Sequence, residues 1–368
     1  MTLIYLRRLS VFFFSLIVII ACTTCCTAQE ANKGLKDYYQ SYFPIGVAVS
    51  PSSLTSDEAS LIKTNFNSLT PENVMKMEVI HPKESVYNWK PADAIVAFAQ
   101  KNNMKVRGHT LIWHNQTPNW IFKDTQTGKQ VSVSKEVLLQ RIKEHITQVV
   151  SHFKGKVYAW DVVNEAISDN PKEFYRNSKY MEICGEEFIF KAFQWAHEAD
   201  PNAVLFYNDY NEISPTKRAK IITLINKLKA AGIPINAIGL QSHWAVDQPN
   251  KEQLKATLND FSKLGLKIQI TELDMSVYPK EHQARERRAE DLDTSYSAER
   301  EEKQIEQYKM CFKMFRKYKD VISGVTFWNI SDRYSWLDNF PVQNRKDYPL
   351  LFDRNLAPKK AYSEVIKF

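Results

Sequence analysis

Glycine is scarce in this 368-residue chain, which contains only 10 glycines. No GxGxxG follows an early strand-like run, and no GxxxxGK[ST] occurs. Such glycine-rich turns allow the backbone to approach a pyrophosphate or to cradle nucleotide phosphates. Their absence argues against a dinucleotide or nucleotide site.

Cysteine is also scarce, and its positions exclude a disulfide framework. Cys22, Cys25 and Cys26 lie at a processing site, so only Cys184 and Cys311 belong to the body of the protein. No CxxC…CxxC pattern indicates zinc, and we expect no metal site. We expect two buried free thiols, with a Cys184–Cys311 bridge as the alternative in an exported protein.

The first 28 residues have the pattern of an export signal. Arg7 and Arg8 precede an apolar stretch at residues 11–21 that is short for a membrane span. Residues 19–22 resemble a bacterial lipobox, which predicts lipidation of Cys22 and an anchor in the outer membrane or at the cell surface. The alternative is cleavage after Ala28, which would release a periplasmic or secreted protein.

Charge and composition limit the partners and the domain count. The formal net charge of +7 falls to +5 without Arg7 and Arg8, and no basic cluster predicts a nucleic-acid partner. No linker divides residues 35–368 and no repeat stands out, so we expect one catalytic domain at residues 29–368. We also expect a monomer. The mixed-charge segment Lys280–Lys303 is interpreted as a solvated loop and exposed helix face, with a rim over a ligand cleft as the alternative.

Hydrophobic periodicity predicts eight strands that alternate with helices. This rhythm favours a single (β/α)8 TIM barrel over a doubly wound sheet, which would normally bring a glycine-rich first turn. Ser214 and Pro215 predict a helix start, while Gly232 and Gly265 predict helix ends. The predicted strands are residues 45–49, 67–69, 105–112, 157–163, 203–207, 237–241, 267–271 and 324–328. The predicted helices are residues 92–102, 135–153, 186–198, 215–231, 251–264 and 299–318.

Two glutamates follow strand-like runs about a hundred positions apart, Glu165 in WDVVNEA and Glu272 in ITELD. In a TIM barrel, the carboxyl ends of the strands carry the active site. Carboxylates are seldom buried unless they are paired or functional. The pair therefore predicts acid/base or nucleophile chemistry, with two locally capping acids as the alternative.

The other predicted strand ends carry amides, imidazoles and tryptophans. Amides and charged groups can hydrogen-bond sugar hydroxyls, and tryptophan faces suit the CH face of a pyranose. The sequence therefore predicts a carbohydrate substrate. These polar and aromatic clusters lie at residues 70–76, 108–116, 164–165, 208–211, 241–244, 272–274 and 328–329.

The strings TPENVMK, RGHTLIWH, WDVVNEA, YNDYN, IGLQSHW and ITELD resemble, in order, the motifs of family 10 glycoside hydrolases, the endo-β-1,4-xylanases. The resemblance extends from about residue 39 to residue 368. It implies hydrolysis of xylan and xylo-oligosaccharides with retention of anomeric configuration and without a cofactor. It implies Glu165 as acid/base, Glu272 as the nucleophile of a covalent glycosyl-enzyme, and His243 and Asp274 as its supports.

The same resemblance implies which residues contact the substrate. Tyr210 and Asn211 are interpreted as lining the leaving-group side, with a turn-shaping role as the alternative. Two positions depart from the family pattern, because Met77 replaces a frequent tryptophan and Asn329 replaces a common glycine. Glu72, Asn73 and Lys76 match contacts on the non-reducing side; His109, Trp113, Asn164, Gln241, Trp328 and Trp336 match the walls around the sugar that is cleaved.

Acetal hydrolysis requires the two acids to have opposite protonation states. We expect repulsion and desolvation to raise the pKa of Glu165, and a hydrogen bond from His243 to favour ionised Glu272. Retention or inversion depends on a carboxyl separation of about 5 or about 6.5 to 9.5 Å.

Other interpretations of these residues remain open at this point. His109 and His243 could be core histidines, and the cleft tryptophans could be packing residues. His114 is given no role, whereas Trp120 and Trp195 are expected in the core. The whole chain could be a non-catalytic glycan-binding lipoprotein, or a hydrolase of β-1,4-glucan or mixed-linkage glucan. A crowded wall near Trp336, Gln116 and Lys76 would exclude the hydroxymethyl group of glucose.

Overall fold

Residues 33–124 and 131–368 are described by the computed structural model. The predicted signal segment at residues 1–28 and its candidate lipidation site Cys22 lie outside the described residues. Within the described part, no helix combines the length and apolar character needed to cross a membrane.

Eight parallel strands close into a barrel within the described residues. Each strand pairs in parallel with the next, and the last pairs with the first through the register Ile45–Val325. The predicted (β/α)8 TIM barrel is thereby confirmed. The strands are β1 (Ile45–Val49), β2 (Ser68–Pro71), β3 (Lys105–Gly108), β4 (Ala159–Asn164), β5 (Val204–Asp209), β6 (Ala237–Leu240), β7 (Lys267–Ser276) and β8 (Ile322–Phe327).

A main helix follows each of these strands and packs its apolar face on the barrel, as in helices covering a parallel sheet. A short helix at Leu35–Tyr38 precedes β1, and two others at Met77–Ile80 and Lys179–Cys184 lie in the connections. The main helices are α1 (Glu58–Asn65), α2 (Lys90–Lys101), α3 (Lys135–His152), α4 (Glu187–Ala199), α5 (Pro215–Ala230), α6 (Lys251–Ser262), α7 (Ala298–Lys317) and α8 (Lys360–Ile366).

Local sequence signals account for several helix boundaries. The Asn250 side chain accepts a hydrogen bond from the Gln253 backbone amide and opens α6 with a capping box. Ser214 is the N-cap residue of α5 and Pro215 is its first residue, as predicted, although the Ser214 side chain makes no capping hydrogen bond. Gly232 and Gly265 have φ values of +66° and +69° just after α5 and α6, as predicted for helix ends.

The third predicted strand, residues 105–112, is wrong as a continuous element. β3 ends at Gly108, and Ile112–Trp113 resumes pairing with β4. Between them, His109 Nδ1 lies 2.7 Å from Asp161 Oδ2, and the Thr110 hydroxyl donates to the Asp161 carbonyl over 2.8 Å. These side-chain bonds to β4 lie between the two strand segments, where a continuous strand would pair through backbone hydrogen bonds.

The remaining expectations about the core can be checked residue by residue. Cys184 and Cys311 are buried free thiols, which confirms that prediction over the alternative bridge. Trp195 is buried in the core, whereas Trp120 is only half-buried at its edge and donates its indole N–H to the carbonyl of His81.

Candidate active site

The carboxyl ends of the barrel strands enclose a cavity of about 450 Å³. Glu165 and Glu272 both line it. Asp274 is fully buried and is not part of the lining, but it contacts the lining residues His243 and Trp336. The other predicted site residues in the lining are Glu72, Asn73, Lys76, His109, Trp113, Asn164, Tyr210, Gln241, His243, Trp328 and Trp336.

Glu165 follows directly after β4 and is held by three neutral donors. Trp113 Nε1 donates to Oε2 over 2.9 Å, and Gln241 Nε2 donates to Oε1 over 2.9 Å. Asn164 Nδ2 adds a third bond of 3.2 Å to Oε1. Burial is the largest cause that raises the pKa of Glu165 above 4.5, and the negative charges of Asp209 and Glu272 add to it.

Glu272 lies within β7 and has a different set of neighbours. Asn208 Nδ2 donates to Oε1 over 2.7 Å, and His243 Nε2 lies 3.3 Å from Oε2. Burial alone would raise the pKa of Glu272, but the positive charges of His109, His243 and Arg107 and the His243 hydrogen bond lower it to about 2. Glu272 is therefore ionised at neutral pH.

His243 connects Glu272 to a buried carboxylate. Its Nδ1 lies 2.9 Å from Asp274 Oδ2, an oxygen that also accepts the Trp336 indole N–H over 2.8 Å. Burial alone would lower the pKa of His243, but Asp274 and then Glu272 raise it from 6.5 to about 10. The imidazolium therefore donates from both nitrogens, and it lies between two carboxylates.

A bridge of amides connects the two glutamates. Asn208 Nδ2 donates both to Glu272 and, over 2.9 Å, to Asn164 Oδ1. Gln241 Nε2 also donates to Asn164 Oδ1 over 3.2 Å, in addition to its bond with Glu165. The same amides thus fix the relative orientation of both carboxylates. Asn208 was present in a predicted strand-end cluster, but its role beside Glu272 was not predicted.

A buried ion pair supports the floor of the cavity below His109. Arg107 forms a salt bridge with Asp161 and donates to the Thr271 carbonyl over 2.8 Å. Asp161 in turn binds His109 Nδ1, and the His109 ring meets Trp328 edge to face at 5.3 Å. Sequence reasoning missed Arg107 and Asp161, whose positions inside RGHTLIWH and WDVVNEA were the available signal.

One end of the cavity carries a lysine held among amides. Lys76 Nζ donates to Gln116 Oε1 over 2.8 Å and to Asn73 Oδ1 over 3.0 Å, and it lies 4.8 Å from the Trp113 ring centroid. Burial lowers the pKa of Lys76, against the opposing charges of Glu272, Glu72 and Glu165. The arrangement offers several hydrogen-bonding groups next to an aromatic face, as sugar recognition requires.

Another part of the cavity wall is formed around Tyr210. Its hydroxyl donates to Asp169 over 2.6 Å and accepts from Arg176 Nη2 over 2.7 Å, and Lys217 lies 4.7 Å from its ring centroid. Arg176 Nε also donates to the Glu165 carbonyl over 2.9 Å. Tyr210 is thus fixed in the wall beside Glu165.

The sequence profile of glycosyl hydrolase family 10 matches residues 34–368. The chain belongs to glycosyl hydrolase family 10. It is 51% identical over 345 residues to the "Beta-1,4-xylanase" of Dictyoglomus thermophilum, covering 92% of this chain and 94% of that relative.

Solved structures of similar proteins have the same fold. Xylanase XynB from Paenibacillus barcinonensis, in complex with a conduramine derivative, aligns with a TM-score of 0.85 at 43% identity over 90% of this chain and 98% of that one. A variant solved in complex with xylotriose also aligns with a TM-score of 0.85 at 43% identity, over 91% and 99%. The resemblance predicted from the motifs is thereby confirmed.

Met77 and Asn329, at which the motif resemblance led us to expect a tryptophan and a glycine, are both buried. The Met77 sulfur lies 3.8 Å from the Tyr180 hydroxyl, so it fills core space beneath the Lys76 end of the cavity. Asn329 lies close to Glu72, and hydrogen bonding from Asn329 opposes the increase in the pKa of Glu72 that burial causes.

His114, which was given no role, lies 4.0 Å from Glu165 through its Nδ1. Burial, then the charges of Arg176 and Lys217, lower the pKa of His114 to about 4. A neutral imidazole at that distance is a polar neighbour of Glu165 and not the partner of a salt bridge.

The interpretation of Lys280–Lys303 as a solvated loop is wrong for its first residues, which line the cavity together with Tyr334 and Phe340. Lys280 Nζ donates to the His243 carbonyl. Beyond it, Arg285 forms salt bridges with Glu281 and Asp291. The charged residues of this segment were interpreted as a solvated surface, but their ion pairs and hydrogen bonds hold one wall of the cleft in place.

Backbone strain is concentrated at this site. Among the described residues, eight non-glycine residues have positive φ, and five of them lie in or beside the cavity lining. Side chains rarely adopt this left-handed region without compensation from their surroundings. The five are Glu165 (57°), Gln116 (46°), Asn211 (55°), Ser242 (60°) and Asn329 (102°).

Proposed function

We propose that the protein is an endo-1,4-β-xylanase that cleaves xylan with retention through a covalent glycosyl-enzyme. The observation that carries the proposal is the pair of buried glutamates that line one cavity, Glu165 with a raised pKa and Glu272 with a pKa of about 2. Two carboxyl groups of opposite protonation state are what a retaining glycosidase requires.

In the first step, ionised Glu272 attacks the anomeric carbon while Glu165 donates its proton to the departing glycosidic oxygen. The carbon–oxygen bond to the leaving sugar breaks, and an ester bond to Glu272 forms. His243 and Asn208 hold the attacking carboxylate, and Trp113 and Gln241 orient the acid.

In the second step, Glu165 acts as a base. It removes a proton from water, the hydroxide oxygen bonds to the anomeric carbon, and the ester bond to Glu272 breaks. Two displacements at one carbon restore its original configuration. Glu165 is then protonated and Glu272 ionised, as before the reaction.

The substrate assignment draws support from the comparisons and from the cavity wall. The relatives are named as xylanases, and one similar structure contains xylotriose. Trp336, Gln116 and Lys76 all line the cavity, and Lys76 is hydrogen-bonded to Gln116 over 2.8 Å. Xylose lacks the hydroxymethyl group that glucose would have to place against this wall.

Hydrolysis of defined substrates tests this proposal. We expect release of reducing sugar from xylan, and a kcat/KM for aryl β-xylobioside that exceeds that for aryl β-cellobioside by roughly a hundredfold or more. Proton NMR should show the β-anomer as the first-formed product. Absence of reducing sugar would favour a glycan-binding protein. A higher kcat/KM for the cellobioside would favour a glucanase, and an α-anomer as first-formed product would show an inverting enzyme.

We also propose that the protein is exported as a lipoprotein through Cys22, because residues 19–22 resemble a lipobox. We propose that the mature protein is a monomer. Metabolic labelling with a fatty acid should mark the full chain, and a Cys22→Ala variant should lose the label. Unlabelled protein that starts at Gln29 would instead support cleavage after Ala28.

A further inference from the structure

The amino-end face of the barrel carries a band of exposed lysines. Four of the connections that lead from a helix to the next strand form it, and each of them contains two exposed lysines. Within these four connections, all of them described, Asp320 is the one acidic residue. Because the connections are far apart in the sequence, no basic run marks this surface. We call it the basic arc, and it is formed by residues 101–105, 152–159, 262–267 and 317–322.

The four connections lie next to one another around the barrel. They lead into β3, β4, β7 and β8, and β8 is joined to β3 through β1 and β2. Between them, the end of α1 adds the exposed Lys63. The arc therefore covers a continuous part of the amino-end face. It ends before β5, where the end of α4 and the connection that follows carry Glu198 and Asp200 and no lysine.

Helix dipoles explain only part of this charge. A lysine in the last turn of a helix complements the partial negative charge there, and Lys101 and Lys317 are the last residues of α2 and α7. That effect falls off within one turn. It does not account for Lys105, Lys156 and Lys267, which lie four or five residues beyond the ends of their helices. The charge outside the helices therefore indicates an anionic partner.

The first part of the described chain lies in the middle of the basic arc. The backbone amide of Leu35 donates to Asn65 Oδ1 at the end of α1 over 3.2 Å. Eleven residue steps separate Lys33 from Cys22, and such a chain spans at most about 40 Å. A lipid anchor at Cys22 would therefore keep the basic arc close to the bilayer.

Two aromatic rings lie at the same place on this face. Phe368 is 54% exposed, and the Arg316 guanidinium lies 4.0 Å from its ring centroid, while Lys319 Nζ lies 5.6 Å from the ring centroid of Tyr42. The Tyr42 and Phe368 rings meet edge to face at 82°, so they offer no common flat surface on which sugars or bases would stack. Aromatic rings beside cations are typical of surfaces that lie among lipid headgroups. This composition favours a membrane as the anionic partner.

We infer that the basic arc docks on an anionic membrane surface and contacts the phosphate groups of its lipids. The inference rests on the proposed lipid anchor at Cys22. The anchor brings the arc near the bilayer, and attraction that salt screens beyond about 8 Å then orients the barrel. Because the cleft lies at the carboxyl ends of the strands, on the opposite face, the docked enzyme directs its cleft away from the bilayer.

Vesicle binding by unacylated protein tests the docking surface separately from the anchor. The mature chain from residue 22, carrying Cys22→Ser, is mixed with vesicles of phosphatidylcholine alone or with about 30% phosphatidylglycerol added. We expect partition to be roughly tenfold higher or more with phosphatidylglycerol in about 0.1 M salt, and this gain to disappear in about 1 M salt. Equal partition into both kinds of vesicle would overturn the inference.

A triple variant locates the contact on the basic arc. Lys101→Gln, Lys156→Gln and Lys317→Gln together should lower partition into the phosphatidylglycerol vesicles roughly tenfold or more. The variant should keep the wild-type kcat/KM for aryl xylobioside, which shows that it is folded. Unchanged partition would overturn the assignment to this face.

The matched control removes three exposed lysines from the carboxyl-end side of the barrel. Lys90 and Lys251 are the first residues of α2 and α6, and Lys172 lies in the connection from β4 to α4. The same change to Gln at all three should leave partition within about twofold of the wild type. A loss equal to that of the arc variant would show that only net charge matters, which would overturn the docking surface.

The outcomes separate the anchor, the docking surface and a different partner. A chain that takes up no fatty acid but binds phosphatidylglycerol vesicles through the arc would overturn the anchor and support the docking surface. A labelled chain whose unacylated form does not distinguish the two kinds of vesicle would overturn the docking surface alone. If the arc variant lost affinity for soluble glucuronoxylan and kept its vesicle binding, the arc would belong to an acidic polysaccharide and the inference would be overturned.

Discussion

The two glutamates lie in one cavity, yet their surroundings differ in charge. Trp113, Gln241 and Asn164 contact Glu165 as neutral donors, whereas Glu272 is contacted by the imidazolium of His243. Both side chains are buried, at 8% and 4% exposure, so burial alone would raise both pKa values. The difference between them comes from neighbouring charge, and substitutions on each side test this comparison.

Removal of the ionised partner should have the largest effect. Glu272→Gln replaces the attacking oxygen with an amide of similar shape, and we expect kcat to fall roughly 10⁵-fold on every substrate. Steady-state kinetics with aryl xylobioside measure the loss of kcat. Glu252→Gln on α6 serves as the control. A Glu272→Gln enzyme with more than about 1% of the activity would contradict the nucleophile role.

Removal of the protonated partner should depend on the leaving group. Glu165→Ala should slow substrates with poor leaving groups roughly 10³-fold and spare the first step for good ones. Azide should then restore turnover by replacing the base-assisted water, with a glycosyl azide as product. Equal losses for good and poor leaving groups would remove Glu165 from the acid role.

Removal of the His243 imidazolium should make the surroundings of Glu272 more like those of Glu165. In His243→Ala, the pKa of Glu272 should rise from about 2 towards its ordinary 4.5. Because Glu272 must be ionised to attack, the acidic limb of the kcat/KM profile should move to higher pH, with a loss of roughly 10²-fold at neutral pH. An acidic limb at the wild-type position would show that His243 does not tune the nucleophile.

A smaller effect on kcat is expected from displacing the Asn208 amide, which connects the surroundings of Glu165 and Glu272. In Gly239, an added Cβ would lie 2.2 Å from Asn208 Oδ1, so Gly239→Ala must displace the amide that donates to Glu272. We expect kcat to fall roughly tenfold. Asn208→Ala in that background should add little further loss, whereas fully additive losses would show that Gly239 acts elsewhere.

The sequence was sufficient for the barrel because its strands and helices have regular periods. The six predicted helices match the observed ones to within two residues at each end, and Gly232 and Gly265 end theirs as expected. β7 was predicted to end at Thr271 but continues to Ser276, since Glu272, Asp274 and Ser276 interrupt its apolar run. In this extension Glu272 lines the cavity, while Leu273 and Met275 pack in the core.

The site was predictable only where its residues stand in motifs at strand ends. Glu165 and Glu272 were identified in this way, and the cavity contains both. Lys280 and Tyr334 lie in long connections without a period, so their contacts depend on the folded barrel. The support of Asn208 for Glu272 likewise depends on β5 and β7 pairing with opposite edges of β6, at separations that one sequence does not encode locally.

The left-handed backbone at Glu165 has a consequence for directed evolution. Glycine adopts φ near +57° without the steric strain that the Glu165 side chain adds, so Glu165→Gly should gain stability while it removes the acid. Selection for heat resistance alone would therefore enrich inactive chains, and a screen for a more durable enzyme must require turnover at every round.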